Sequence, residues 1–546
     1  MSRKKYNKLA PAALLLITIA LTLLASSGTG SLPGLLTNAS AAASYPFPGR
    51  AEDLPQGHYW YVDHKHAAGI QGEGYDISGI RYDEKGNRWT RLRPGQGFDE
   101  FDANTKNEDW LIHGTPVRAI ADGEVVRCWR NSPENPRPGV KHEMLREQFP
   151  KIGGGGNSLW VRHADGNYAL YAHFKPGSIP ASLCPNSKTF VEKDGETELP
   201  PGNRPKVKAG QFVGRVGNSG SSTNPHLHLH VQNSEPGTGG SSNAVALPFH
   251  GAWIKNGTKT GGADEKANTP WTLLKGQEIS SPPTAVLPNY SKGAAEVARH
   301  GVPAADYQFT VDHAVASGYG VEWVDGFSAN GRLYFNVIFR PNTAGNWSAV
   351  HNLTGAQYQA EFDKRKAAGF RLKQVDSYPV GSQIRYAAIF VKDGGPAVAA
   401  YHGATAAEHQ KKFDELTAGP WKPKNISVVS VGGERFYTAL YERVGAGSSS
   451  QAKSFLTPAE YQKLSDENKE KGRQLAYLNA YEHQGQPRFS AIWNSSTQGG
   501  FKARHGLSGG AYQQEWEDAL KGGLLTRAVT GYEDGDTVRY AAVWRK

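Results

Sequence analysis

From about residue 57 to about residue 271, apolar and polar positions alternate over short runs, as in 117–126, 158–163 and 168–173, with Gly or Pro between the runs. A period of two puts one face of each strand on a core and the other toward water, so this half is predicted to be an antiparallel β domain. Two stretches rich in Gly, Pro and charge, 130–156 and 175–205, interrupt the pattern and are read as surface loops. Residues 44–56 read as a short lead-in, and 272–295, with Ser280, Pro282, Pro283 and Pro288, as a linker.

The pattern then changes period. Five segments repeat an opening such as "LTGAQYQAEFDKRKAAGF" and a close such as "IRYAAIFVK". Tyr307, Tyr358, His409, Tyr461 and Tyr512 anchor the openings, Phe339, Phe390, Tyr441, Trp493 and Trp544 the closes, and both sets advance by 51 or 52 residues. Each unit over 296–546 predicts a short amphipathic helix followed by two or three alternating strands, and a unit of that size cannot bury its own face. Neighbours must therefore stack into a ring or a row. The units resemble a bacterial tandem repeat that also precedes the catalytic domain of polyglycine hydrolases, and that resemblance implies propeller-like blades. It rests on "HNLTGAQYQAEFD", "RHGLSGGAYQQEWED" and "VRYAAVWRK".

Composition changes this picture in three places. Arg3, Lys4, Lys5 and Lys8 precede the apolar run 14–24, and small residues including Ala41, Ala42 and Ala43 follow, so 1–43 reads as an export signal. No later stretch is apolar enough to cross a membrane, and the rest of the chain is expected outside the cell, associated with the wall. Cys128 and Cys184 are the only cysteines, and an exported chain favours their pairing as one disulfide. The formal charge of +10 suits anionic surfaces, bacterial wall polymers included. No basic cluster interleaves with aromatics, so nucleic acid is not an expected partner; a monomer is expected.

The chemistry concentrates in "GRVGNSGSSTNPHLHLHV", which sets His226, His228 and His230 at alternate positions of a strand, all on one face. "NYALYAHF" ends another strand with His173, and "WYVDHKHAAGIQGEGYDISG" offers His64, His66 and Asp76. Two imidazoles and one carboxylate make a zinc site that keeps a position open, and further histidines beside it can serve as base and as oxyanion donor.

These residues resemble the lysostaphin-type, or LytM-type, zinc metalloendopeptidases of cell-wall peptidoglycan. The matching blocks are "HGTPVRAIADGEVV" from His113, "GGGGNSLWVRHADGNYALYAHF" from Gly153 and "VKAGQFVGRVGNSGSSTNPHLHLHV" from Val207. The resemblance implies zinc as cofactor, peptidoglycan as partner, His228 as a ligand, and His173 and His226 as catalytic histidines; it gives His230 no role. The family's first ligand pair, His and Asp with three residues between them before "GTPV", is replaced here by "NTKNEDWLIHG". His66 and Asp76, with nine residues between them, are the substitute favoured, with His64 and Asp76 or His66 and Asp83 as alternatives.

The expectation is thus an all-β lysostaphin-type catalytic domain followed by an α+β tandem-repeat array. It would be a secreted endopeptidase cutting peptide cross-links of peptidoglycan, with repeats that bind wall or a partner. A silent domain of the same fold that binds wall and regulates another hydrolase is the other reading; loss of the first ligand pair would produce it.

Overall fold

The structure, a computed structural model, describes residues 44–141, 154–185, 187, 195–237, 243–260, 269–342, 345–444, 449–495 and 499–546. The expected export signal lies outside them, as do parts of both inserts.

The first half is built on one large sheet, beside which Pro116–Arg118 and Phe212–Arg215 form a separate pair. Its principal strands are β1 (His58–Lys65), β2 (Tyr75–Asp83), β3 (Gly123–Trp129), β4 (Ser158–His163), β5 (Tyr168–Ala172), β6 (Leu227–Gln232), β7 (Phe249–Asn256) and β8 (Thr284–Pro288). They lie side by side in the order β7, β8, β1, β2, β6, β5, β4, β3, and every one of these pairings is antiparallel. Strand β6 is central, and its alternation shows why: Leu227, Leu229 and Val231 are fully buried in the main core, while His228 and His230 leave from the opposite face. Cys128 on β3 is bridged to Cys184, which ties the sheet to the second insert.

Two boundary expectations are corrected. The segment 272–295 is not a free linker, because Thr272–Gln277 pairs with β7 and β8 is inserted between β7 and β1. The lead-in is likewise structural: Tyr45 pairs in parallel with Phe249, and Asp53 meets Arg118. The Pro-rich composition obscured both, since the apolar residues of Thr284–Pro288, including the buried Ala285 and Val286, are too few to stand out among prolines.

Each repeat folds as a strand, a helix and a two-stranded hairpin, with the leading strand pairing beside the last, so a strand precedes the expected helix. The helices are α1 (Ala304–Ala316), α2 (Gly355–Ala367), α3 (Ala406–Thr417), α4 (Pro458–Glu470) and α5 (Gly509–Lys521). Thr354, Thr405 and Thr457 cap α2 to α4, and each is answered three residues later by Gln357, Glu408 or Glu460, which explains why the openings recur so faithfully.

The inner hairpin strands are β9 (Tyr319–Ala329), β10 (Arg371–Val380), β11 (Trp421–Val431), β12 (Gln474–His483) and β13 (Leu525–Asp534). They close a cycle through side chains rather than through a shared backbone ladder. Asp376 accepts from the Gly326 N–H (2.7 Å), Asn425 from Val375 (2.9 Å), Asn479 from Val428 (2.9 Å), Thr530 from Ala480 (3.0 Å) and Asp325 from Gly531 (2.9 Å). The fifth repeat thus returns to the first, and the array is a ring, not a row.

The ring packs directly on the large sheet. Trp271 stacks on Phe309 of α1 with centroids 5.0 Å apart, His313 donates to the Pro288 carbonyl at 2.8 Å, and Ala51 and Tyr290 join the first repeat's core. Among the described residues no helix is long and apolar enough to cross a membrane.

Candidate metal centre

The pairing of β6 with both neighbours assembles the centre. His228 lies opposite Asp76 of β2 on one side and Ala172 of β5 on the other. His173 follows Ala172 directly and turns sharply out of the strand at φ +65°, a conformation uncommon for a residue with a Cβ. Its N–H donates to the Gly155 carbonyl (2.8 Å), and its own carbonyl accepts from Gly217 (3.1 Å). The loops carrying those two glycines can approach only because Gly156 and Gly220 face each other: a Cβ on Gly220 would meet the Gly156 nitrogen at 2.3 Å.

The long spacer between His66 and Asp76 is accommodated as an excursion. It contains the short turn Gly69–Gln71, and the His66 N–H closes it by donating to the Gly74 carbonyl at 2.9 Å. The unusual spacing is therefore compatible with convergence. His66 Nε2 lies 3.1 Å and His228 Nδ1 2.8 Å from the same oxygen of Asp76, with His226 Nε2 at 3.5 Å. One ligand atom from each of His66, Asp76 and His228 lies within 4.8 Å of the others.

That arrangement fits a cation. Three imidazoles aimed at one carboxylate oxygen can all be satisfied without a metal only if each carries its proton there, whereas two nitrogens and one oxygen make a donor set suited to zinc. Electrostatics agrees: burial would raise the Asp76 pKa, but His226, His228 and His66 hold it far below the usual carboxylate range. Burial lowers His173 well below an ordinary imidazole, with His226 and His228 adding to the effect. Burial also opposes the charged form of His226, yet the adjacent Asp76 outweighs it and the pKa rises.

The alternatives separate geometrically. Asp83 is engaged by Arg81 at 2.6 Å and by the Gly86 N–H at 2.8 Å. The His64 ring is 5.0 Å from that of His66, and His64 is not one of the three convergent groups.

Several positioning groups carried no signal in the sequence reading. His226 Nδ1 lies 2.8 Å from the Asn224 carbonyl and His173 Nδ1 2.8 Å from the Ser219 carbonyl. A carbonyl only accepts, so both Nδ1 atoms carry the proton, and in the neutral ring each Nε2 keeps a lone pair. His230 Nδ1 is 2.9 Å from His228 Nε2. The base of the first insert is no loose loop either: Asn135 donates to the carbonyls of Gly220 (3.0 Å) and Ser222 (2.9 Å), holding the stretch that leads to His226. Runs such as "GGGGN" and "GNSGSS" could have signalled close loop packing, though not which carbonyl would face which ring.

Residues 293–342, 344–393, 395–444, 447–496 and 498–546 match the family model described as polyglycine hydrolase-like, structural repeat. The chain is similar to the DD-carboxypeptidase/endopeptidase Mpg of Neisseria meningitidis serogroup B, 29% identical over 137 residues, which are 23% of this chain and 22% of that protein. The Mpg protein of Neisseria gonorrhoeae matches with the same figures. The chain thus spans about a fifth of the length of these curated relatives. Among solved structures, the catalytic domain of the antimicrobial peptidase lysostaphin from Staphylococcus simulans is 23% identical, covering 28% of this chain and 88% of that one, at a TM-score of 0.14. A putative glycyl-glycine endopeptidase lytM from Ruminococcus gnavus is 20% identical, covering 37% and 56%, at a TM-score of 0.19.

Proposed function

We propose that this chain is a secreted zinc metalloendopeptidase that hydrolyses peptide cross-links of bacterial peptidoglycan, and that its ring of repeats binds wall or a wall-borne partner. The observation that carries the reading is the convergence of His66, Asp76 and His228 at one point, with His173 and His226 alongside. Similarity to a carboxypeptidase/endopeptidase over 137 residues supports the reaction class.

His66, Asp76 and His228 would hold the ion. Zinc bound there supplies Lewis acidity for amide hydrolysis. The remaining work belongs to the chain. With their Nδ1 protons committed to the carbonyls of Ser219 and Asn224, His173 and His226 each offer Nε2 to take up a proton and return it. Their ring centroids are 4.7 Å apart, close enough to act on one substrate group. The test is mass spectrometry of fragments released from isolated walls with and without a chelator. The expected result is new amino termini from cut cross-links, abolished by chelation and restored by zinc; release that ignores the chelator would overturn the proposal.

His230 has a positioning role in this reading. When His228 offers the Nδ1 lone pair to a metal, its proton sits on Nε2 and is accepted by His230 Nδ1. His230→Ala is expected to weaken zinc binding by about 10- to 100-fold, the usual effect of losing such a partner. Competition with a chromophoric chelator measures it, and unchanged affinity would remove His230 from the site.

A further inference from the structure

One mouth of the ring is a funnel of about 380 Å³. Its wall is built from a repeated irregularity: β9 to β13 each carry a bulge, at Glu322, Lys373, Lys424, Ala476 and Arg527. A bulge frees one side chain from the ladder and re-aims it, and all five of these residues line the funnel. The strand pairing with each of these adds a second set of equivalent positions, which includes Arg340, Glu442 and Arg545.

The anchoring core positions stay aromatic from repeat to repeat, whereas these lining positions vary in charge. Four lining cations have carboxylate partners. Arg340 meets Glu296 and Glu322, Lys373 meets Glu322, Arg371 meets Asp393 and Glu442, and Lys424 meets Glu442. The fifth repeat breaks the pattern by placing arginine at both of its positions, and the fourth contributes no charged residue beside it, lining the funnel with Ala476 and Tyr477. Among the described residues, neither Arg527 nor Arg545 has an Asp or Glu within ion-pair distance, although Glu322 and Glu296 act on Arg527 from further off. Arg527 donates to the Lys546 main-chain oxygen at 2.8 Å, and the buried Nε of Arg545 has no hydrogen-bond partner. Burial, with Arg527 beside it, pushes Arg545 down to about 10. The opposite mouth is lined by Glu482 and Glu533 and by no Lys or Arg.

We infer that this funnel is an anion site that takes a phosphate group on Arg527 and Arg545. The lining carboxylates Glu322 and Glu442 are engaged by Arg340, Lys373, Arg371 and Lys424, so the two neighbouring guanidinium forks of the fifth repeat are left as the cations in excess. Inorganic phosphate brings about −1.5 to −2 charges, and a phosphodiester one negative charge on two non-bridging oxygens, and guanidinium forks match the geometry of either. The site is independent of the metal centre, so it stands or falls apart from the endopeptidase reading. The same group could arrive as free phosphate or on a phosphodiester-linked wall polymer.

The test is calorimetric titration of the full exported chain with inorganic phosphate at fixed ionic strength. Saturable binding to one site is expected. Arg527→Ala with Arg545→Ala should lose at least about tenfold in affinity, as charge-assisted bidentate pairs are removed. Lys463→Ala with Lys521→Ala, equal in charge but on exposed helical surface, should change nothing. Ala476→Glu guards against misfolding of the arginine variants: it keeps both arginines, supplies them a carboxylate, and should abolish binding. Sedimentation with walls before and after hydrofluoric acid stripping separates the sources. Loss on stripping, matched by loss in Ala476→Glu, identifies polymer phosphate; equal sedimentation with saturable calorimetric binding identifies the free anion. Phosphate heats that do not saturate, or an equal loss in the lysine variants, would overturn the inference.

Discussion

Asp76→Ala is expected to leave the purified protein without tightly held zinc and without wall-cleaving activity. Asp76 is the hub: a single carboxylate oxygen faces His66, His228 and His226 at 3.1, 2.8 and 3.5 Å. Removing it takes away the only anionic donor of the three, so the loss in metal affinity should exceed the roughly hundredfold that marks a lost outer partner. Metal content after gel filtration measures the effect directly. Asp83→Ala is the matched control, since that carboxylate serves Arg81 and the Gly86 N–H instead, and it should keep its zinc. Retention of one equivalent in Asp76→Ala, or its loss in Asp83→Ala, would show that the ligand set has been read wrongly.

How far such a site can be read from a sequence depends on which interactions place it. His226, His228 and His230 were legible because a period of two forces them onto one face while Leu227, Leu229 and Val231 take the core. His173 was marked by the family resemblance, and the pairing of its strand beside β6 is a property of the fold. The pairing of His66 with Asp76 was harder, because their separation along the chain says little once an excursion closed by Gly74 intervenes. Only the cross-strand register that sets Asp76 opposite His228 chooses it over Asp83, and register is a tertiary property. The carbonyls of Ser219 and Asn224 were not legible at all, since every residue has one.

The same reasoning explains the misread boundary. Residues 284–288 are a short strand with prolines on its flank, and their place between β7 and β1 is decided by those neighbours. The ring was legible in its period and its anchors, but not in its closure, which rests on Asp325, Asp376, Asn425, Asn479 and Thr530 reaching sideways to backbone N–H groups. A polar residue on an inner strand is as readily taken for a solvent-facing one. The docking of Trp271 on Phe309 adds a functional consequence: the ring and the candidate centre are joined by packed side chains, so whatever the ring holds is held at a defined place relative to the large sheet.

His226→Ala and His173→Ala should behave differently from Asp76→Ala, and the contrast tests the division of labour. Each is expected to retain its zinc while turnover falls by about 10²- to 10⁴-fold, the range for losing a proton-transfer group or an oxyanion donor. The fall should appear in kcat rather than KM, because a group that exchanges a proton as the bond breaks contributes little to ground-state binding. His173 needs a separate check, since its backbone turns at φ +65° and its ring is tied to the Ser219 carbonyl. His173→Asn tolerates the left-handed conformation better than Ala and removes the base, so it should keep the fold and still lose turnover. If the two rings serve one proton inventory, the double variant will be scarcely slower than the worse single one, whereas multiplied losses would mean that they act at separate steps. Zinc lost from His226→Ala would make that imidazole a ligand, since its Nε2 already lies 3.5 Å from the shared oxygen.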